Sequence, residues 1–224
     1  VIFLRIIVFS ALFALLLPAQ AAKDANRRYQ TKEGRDQIAA TLADPHRDER
    51  QKPVELVAAL GLKPGHAVAD LGTGVGYLLP FLSRAVGPAG KVVGQDIQFD
   101  FIERAEKRAK EQGLKNVTFV VGSDRNPRLP ERTFDVVFTL DSYHHFDYPG
   151  EMLPVIAGSL KPGGRFVICD FYKRPGAMPN GDAVAHVRLD KDDVIKEVEA
   201  NGFRLVSQGE HIPGSQYLLF FEKK

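Results

Sequence analysis

The residues with the greatest chemical potential fall in one run, Val68-Ala69-Asp70-Leu71-Gly72-Thr73-Gly74-Val75-Gly76-Tyr77. An apolar stretch ends in an acid, glycines follow at alternate positions, and a helix-like stretch begins behind them. Glycine is needed where the backbone turns with positive φ and a ligand must approach closely. A helix start behind such a loop offers free N–H groups to a negative group, a carboxylate or a phosphate. Twenty residues beyond Gly76, a second apolar stretch, Val92-Val93-Gly94-Gln95, ends in Asp96 and Ile97. A carboxylate there can accept both hydroxyls of a ribose. Loop, strand context and spaced acid together point to a nucleoside-bearing ligand.

The glycine spacing separates two such ligands. The dinucleotide fingerprint is G-x-G-x-x-G, whereas Gly72, Gly74 and Gly76 give G-x-G-x-G. Asp70 would repel a pyrophosphate but attract the ammonium or sulfonium of S-adenosylmethionine (SAM). SAM is therefore the expected cofactor. NAD, with oxidoreductase chemistry, is the alternative, and a glycine turn without a ligand is the third reading.

The elements that position these residues follow from the hydropathy pattern. From residue 53 onward, helix-like and strand-like stretches alternate, which predicts an α/β fold with a parallel sheet. Helices are expected at 53–60, 77–86, 99–112, 149–160 and 190–201. Strands are expected at 67–70, 91–96, 117–121, 134–140 and 165–170, with two closing strands near 203–207 and 216–222. Residues 23–52 are polar, with apolar periodicity only at 38–42, and read as a linker and a short helix lying over the site. The domain of interest is 53–224, and 22–52 forms its linker and N-terminal lid.

The chain has 224 residues, 44% hydrophobic and 26% charged, which excludes disorder and a disulfide scaffold. Thirty Lys+Arg against 28 Asp+Glu leave a net charge of +2 and no basic stripe, so no nucleic-acid partner is expected. The lone Cys169 cannot form an intrachain disulfide.

Five motifs in order resemble those of class I SAM-dependent methyltransferases. They are Asp70 to Gly76, Asp96, Gly122-Ser123-Asp124, Phe134-Asp135-Val136-Val137 and Leu160-Lys161-Pro162-Gly163-Gly164. The resemblance runs from about residue 50 to 222. It implies a Rossmann-like, seven-stranded, mostly parallel sheet with an antiparallel last strand and helices on both faces. It also implies that the loop at Gly72, Gly74 and Gly76 cradles the amino-acid part of SAM, that Asp96 binds the ribose, and that Ser123 or Asp124 borders the adenine. Ser123 stands where the commoner pattern has an acid, so either residue could meet the adenine amino group. Arg50 to Pro53, Asn126-Pro127-Arg128-Leu129-Pro130, Tyr143-His144-His145-Phe146 and Gln216-Tyr217 further resemble a group of small, often exported bacterial methyltransferase-like proteins.

Methyl transfer from a sulfonium is an in-line displacement, so alignment and exclusion of water matter most. A base is needed only where the acceptor must lose a proton. Ligands sit at the carboxyl ends of strands in open α/β sheets, which directs attention to Asp141-Ser142-Tyr143-His144-His145-Phe146-Asp147. His144, or else His145, could serve as base; the plainer reading is packing against the cofactor and a backbone hydrogen bond. Tyr143 could orient an acceptor or wall the pocket. Asp141 reads as a cofactor contact or helix cap. Residues 170–176 and His186-Val187-Arg188 occupy the stretch that shapes the acceptor pocket in this fold. Lys173, Arg174 and Arg188 there suit an anionic acceptor or simple solvation equally. No metal site is read, because His144 and His145 are adjacent with no third ligand at a marking distance. The expected acceptor is a small or lipid-like molecule; a SAM-binding protein without turnover is the second reading.

Residues 1–17 read VIFLRIIVFSALFALLL, and Pro18-Ala19-Gln20-Ala21 follows with the A-x-A spacing of a signal-peptidase site. The apolar run is short of the ~18 residues of a membrane-spanning helix. A cleaved signal peptide at 1–21, with export to the periplasm, is the first reading. The alternative is an inner-membrane anchor with the domain in the cytoplasm, favoured by Lys23, Arg27, Arg28, Lys32 and Arg35 behind the run. That basic cluster also allows association with an anionic membrane surface, or is a solvated linker diluted by Asp24, Glu33 and Asp36. Because SAM is made in the cytoplasm, export would require a separate supply. Mass spectrometry of the protein from its native host is expected to find an N-terminus at Ala22; retention of residues 1–21 would refute cleavage.

Overall fold

Parallel strands cannot be joined by a tight turn, so each return to the same edge needs a crossover segment, a helix for all of them here but the one over residues 122–133. The computed structural model describes residues 20–179 and 181–224. The expected leader falls outside them except for Gln20 and Ala21.

The strands are β1 (Ala67–Leu71), β2 (Lys91–Asp96), β3 (Val117–Val121), β4 (Phe134–Leu140), β5 (Leu160–Phe171), β6 (Phe203–Ile212) and β7 (Gln216–Lys223). They form one seven-stranded sheet in the order β3-β2-β1-β4-β5-β7-β6. β1 to β5 pair in parallel, and β7 runs antiparallel to both β5 and β6. This is the expected architecture. β5 starts earlier than expected because Lys161-Pro162-Gly163-Gly164 joins the strand through an irregularity opposite Phe134 and Val136.

Alternating side chains divide the core between the two faces. Val68, Val136, Phe138, Val167 and Cys169 pack with α3 (Pro53–Ala59), α4 (Leu79–Val86) and Ala105 of α5 (Phe99–Glu111). Ala69, Leu71, Val137, Phe166 and Ile168 pack with α6 (Pro149–Ser159) and α8 (Lys191–Ala200). Before α3 lie a 3₁₀ turn (Arg27–Gln30), α1 (Lys32–Leu42) and α2 (Arg47–Gln51), where the sequence suggested one short helix; α7 (Ala183–His186) is a single turn. Among the described residues no helix is long and apolar enough to cross a membrane.

Two of the motifs secure the end of the sheet away from the glycine loop. Asp135 accepts from the Ala67 N–H at 2.7 Å and from Lys161 Nζ at 2.6 Å, so the acid in Phe-Asp-Val-Val ties β4 to the starts of β1 and β5. At the other end, the strand order reverses between β1 and β4, leaving a crevice that neither set of crossovers covers.

Gly76 closes the glycine loop with φ +78°, and a Cβ there would lie 2.9 Å from Leu79 Cδ1 and 3.1 Å from Ala105 Cβ. Its role is to let the loop pack on α5. Left-handed backbone costs an L-residue roughly 1–2 kcal/mol, so Gly76→Ala is expected to lower stability by at least that much, read as a lower urea midpoint.

Candidate active site

The crevice at the β1/β4 reversal opens into a cavity of about 1070 Å³. Pockets for one small ligand usually hold ~300–1,000 Å³, so there is room for a cofactor and a second molecule. Asp70, Gly72, Gly74, Asp96, Ile97, Ser123, Asp124, Asp141, His144 and His145 all line it.

The loop after β1 is fixed by its backbone. The N–H groups of Gly72 and Thr73 both donate to the Gln95 carbonyl at 2.8 Å, tying the loop to β2. At Gly72, φ is +77° and a Cβ would meet Ser142 Oγ at 2.1 Å, so only glycine allows the β1 and β4 loops to come together. Thr73 Oγ1 donates to Asp70 Oδ2 at 2.6 Å. Asp96 accepts from the Gly74 N–H and the Gln98 N–H, each at 2.9 Å.

Asp141 sits at the end of β4 with φ +50°, a left-handed conformation that Asp and Asn tolerate better than most residues. Its Oδ1 accepts from Gln216 Nε2 at 2.6 Å, and Gln216 Oε1 accepts in turn from Gln51 Nε2 at 2.9 Å. This chain links the cavity floor to α2. Arg47, also on α2, stacks 4.0 Å over the Tyr77 ring and acts electrostatically on Asp70 and Asp141.

Enclosure makes these acids harder to ionise. Burial pushes Asp70 and Asp96 up to about 6, and burial with the charge of Asp170 pushes Asp141 to about 7. The cavity thus concentrates carboxylates that would ionise more readily beside a cation.

The loop after β4 places its imidazoles differently from its phenol. The His144 backbone N–H donates to Asp170 Oδ2 at 2.9 Å, and its Nδ1 lies 2.7 Å from Asp170 Oδ1. Burial alone would lower the His144 pKa, but the charge and hydrogen bond of Asp170 outweigh it and the net shift is upward. His145 Nδ1 lies 2.9 Å from Asn26 Oδ1. Burial and the neighbouring imidazoles hold His145 far below its ordinary value and His186 down to about 4.

Tyr143, expected beside the acceptor, is instead fully buried and points away from the cavity. Its hydroxyl donates to Glu197 Oε1 at 2.6 Å, and Glu197 also binds Arg188. A phenol in an apolar core needs a partner, and α8 supplies it. Gly76 likewise packs on α5 rather than lining the cavity. Lys173 binds the Arg188 carbonyl and Arg174 the Gly214 carbonyl, so these cations hold the acceptor-side loop together and do not line the cavity. Ser123 Oγ caps its own turn by accepting from the Asn126 N–H, whereas Asp124 makes no protein hydrogen bond among the described residues.

The sequence reading missed Asn26, Tyr29, Arg47 and Gln51, all from the segment before α3. Ala22 is 3% exposed, and its N–H donates to Asp147 Oδ1 at 3.1 Å. Asn26 Nδ2 donates to the His145 carbonyl at 2.9 Å and to Asp147 Oδ2 at 3.0 Å. Buried alanines beside an asparagine within a charged stretch were the available signal. His186 was within the stretch assigned to the acceptor side, but nothing in its spacing revealed that it reaches His144 and His145. The ring centroids of His144 and His186 are 5.0 Å apart, and those of His145 and His186 5.2 Å.

Fold, glycine loop and spaced acids together define a SAM-dependent methyltransferase-type site, and similarity to known proteins agrees. The model of a methyltransferase domain family matches residues 62–212, and the chain belongs to that family, whose cofactor is SAM. A SAM-dependent methyltransferase from Aquifex aeolicus superimposes with a TM-score of 0.77 at 29% identity, covering 83% of this chain and 96% of that one. Phosphoethanolamine N-methyltransferase 1 of Zea mays is 31% identical over 69% of this chain and 30% of its own length. The ubiquinone/menaquinone biosynthesis C-methyltransferase UbiE of Ectopseudomonas mendocina is 32% identical over 52% of this chain and 45% of its own. The chain thus spans less than half the length of these two relatives.

The raised pKa of Asp141 makes its ionisation oppose folding of the ligand-free protein. The cost is absent below the unfolded value near 3.8 and complete above about 7, so it grows as pH rises. Asp141→Asn keeps the left-handed backbone and the bond from Gln216. It is expected to raise Tm by more at pH 8 than at pH 5, at roughly 2–4 °C per kcal/mol relieved; calorimetry at both values measures it.

Proposed function

We propose that this protein transfers the methyl group of SAM to a small-molecule or lipid-like acceptor in the cavity at the β1/β4 reversal. The observation that carries this reading is the concentration of buried carboxylates around a glycine loop. Asp70, Asp96 and Asp141 are raised by enclosure, which suits a ligand bearing positive charge and ribose hydroxyls and disfavours a pyrophosphate. A side chain at position 72 or 74 would strike Ser142 or Leu42, so the loop stays bare where a ligand must approach.

Bound SAM supplies an electrophilic methyl carbon on a positively charged sulfur. Asp70 and Asp141 hold the charged amino-acid and sulfonium end by attraction. Asp96 accepts from the ribose hydroxyls with the lone pairs left free by Gly74 and Gln98. Ile97, 41% exposed, provides an apolar surface for the base, and the uncommitted Asp124 meets the adenine amino group. The imidazole face of His144 and His145 meets the acceptor, where its reacting atom is aligned and its proton held or lost. Tyr29, edge-on to His145 with centroids 5.0 Å apart, narrows that side against water. The UbiE and phosphoethanolamine methyltransferase names support a small-molecule acceptor.

We keep the exported form as a proposal as well. Chain cleavage before Ala22 would turn the nitrogen that faces Asp147 Oδ1 at 3.1 Å into an ammonium on that carboxylate.

Isothermal titration is expected to show binding of SAM and of S-adenosylhomocysteine and no heat with NADH. Asp96→Ala should weaken SAM by about 1.5–3 kcal/mol, the worth of a charged hydrogen bond; unchanged affinity would remove Asp96 from the ribose site. SAM affinity should rise from pH 5.5 to pH 8, because a cation binds the ionised carboxylates. A flat profile would count against the acidic wall as its binding surface.

A further inference from the structure

Three imidazoles meet on the acceptor side of the cavity, and their hydrogen bonds define which nitrogen each presents. Asn26 Nδ2 donates to two acceptors, the His145 carbonyl and Asp147 Oδ2, which fixes the amide orientation. Its Oδ1 therefore faces His145 Nδ1 as an acceptor, and that nitrogen must carry the hydrogen. His145 is left with a lone pair on Nε2. His144 donates from Nδ1 to Asp170 in the same way and likewise presents Nε2. Among the described residues, neither Nε2 nor either nitrogen of His186 has a protein hydrogen-bond partner.

One ring nitrogen from each of His144, His145 and His186 lies within 4.8 Å of the other two. Imidazole nitrogens gathered this closely can share one cation. A histidine whose far nitrogen is fixed by a carboxylate or amide is the usual form of a metal ligand, because that bond sets tautomer and ring direction. Asp170 and Asn26 supply such partners here, from β5 and from the segment before α1. The residues arrive from separate elements: the turn after β4 holds His144 and His145, and the end of α7 holds His186.

We propose that His144, His145 and His186 bind one divalent ion of the late first transition row, zinc(II) in the first instance, with an open position facing the cavity. Three neutral imidazoles and one exchangeable site form a ligand set that suits zinc. Zinc–nitrogen bonds of ~2.0–2.1 Å require nitrogens about 3.3 Å apart. The three nitrogens, within 4.8 Å of one another without an ion, would close toward that spacing as the ion binds. An ion there would hold the donor atom of the acceptor and lower its pKa, so its proton would pass to water; the freed lone pair would then take the methyl carbon as the carbon–sulfur pair returns to sulfur and S-adenosylhomocysteine leaves. This role rests on the methyl-transfer reading; the metal site does not.

The test uses metal-free, tag-free protein titrated with Zn²⁺ by calorimetry and with Co²⁺ by visible absorption. Expected are one ion per chain and an intense tetrahedral Co²⁺ spectrum displaced by Zn²⁺. His186→Ala should abolish the spectrum with circular dichroism unchanged, and Asn26→Ala should weaken metal affinity by about 10–100-fold. Absence of stoichiometric metal from folded wild-type protein, or binding that survives His186→Ala, would overturn the proposal. Asp96→Ala serves as the separating control. It should weaken SAM and keep the Co²⁺ spectrum; in wild-type protein, metal bound without SAM overturns only the cofactor assignment, and SAM bound without metal overturns only this site.

Discussion

Carboxylates brought out of water without matching positive charge set the character of this molecule. Asp70, Asp96 and Asp141 lie at the carboxyl ends of β1, β2 and β4, beside the reversal of the strand order, so the backbone leaves them little choice of position. Arg47 offsets part of the charge on Asp70 and Asp141, and the loop N–H of Gly74 and the Thr73 hydroxyl offset more. What remains is a cavity whose ligand-free form stores unfavourable electrostatic energy. A buried charge is tolerated only when paired or hydrogen-bonded, and here the pairing is left incomplete on the side that faces the ligand.

The rest of the structure keeps those acids in place and closes the cavity opposite them. Asp135 and Lys161 lock the far end of the sheet, so the strand ends can diverge without loosening the register. The Gln51–Gln216–Asp141 chain joins α2, β7 and β4 through side-chain amides that donate and accept in sequence. Asn26 and Asp147 attach the start of the described chain to the histidine-bearing turn. Each bond is worth only about 1 kcal/mol net, but removing one partner would strand a buried polar group, which costs more.

The fold was legible because its signals are local. Alternating apolar stretches and the Asp70 to Gly76 loop each depend on neighbours in sequence, and the sheet order follows from crossover rules. The cofactor side of the site was legible for the same reason: an acid at a strand end is where the strand ends. The other side was not. Tyr143 sits next to two cavity histidines yet turns into the core, because a short 3₁₀ turn separates adjacent side chains by direction and Glu197, far along the chain, offers the phenol a partner. His186 and Asn26 reach the cavity through tertiary packing, which no spacing in the sequence records.

The family match begins at residue 62, but Asn26, Tyr29, Arg47 and Gln51 all precede it and all face the cavity. A single pocket is therefore walled by two stretches of chain that are held in different ways. The glycine loop and its acids are tied to the sheet by backbone bonds, and a change in them would disturb strand ends and loop together. The opposite wall hangs on side-chain contacts from a separate stretch of chain. Side-chain replacements there would change what the pocket admits while leaving the strand ends that carry Asp70, Asp96 and Asp141 where they are.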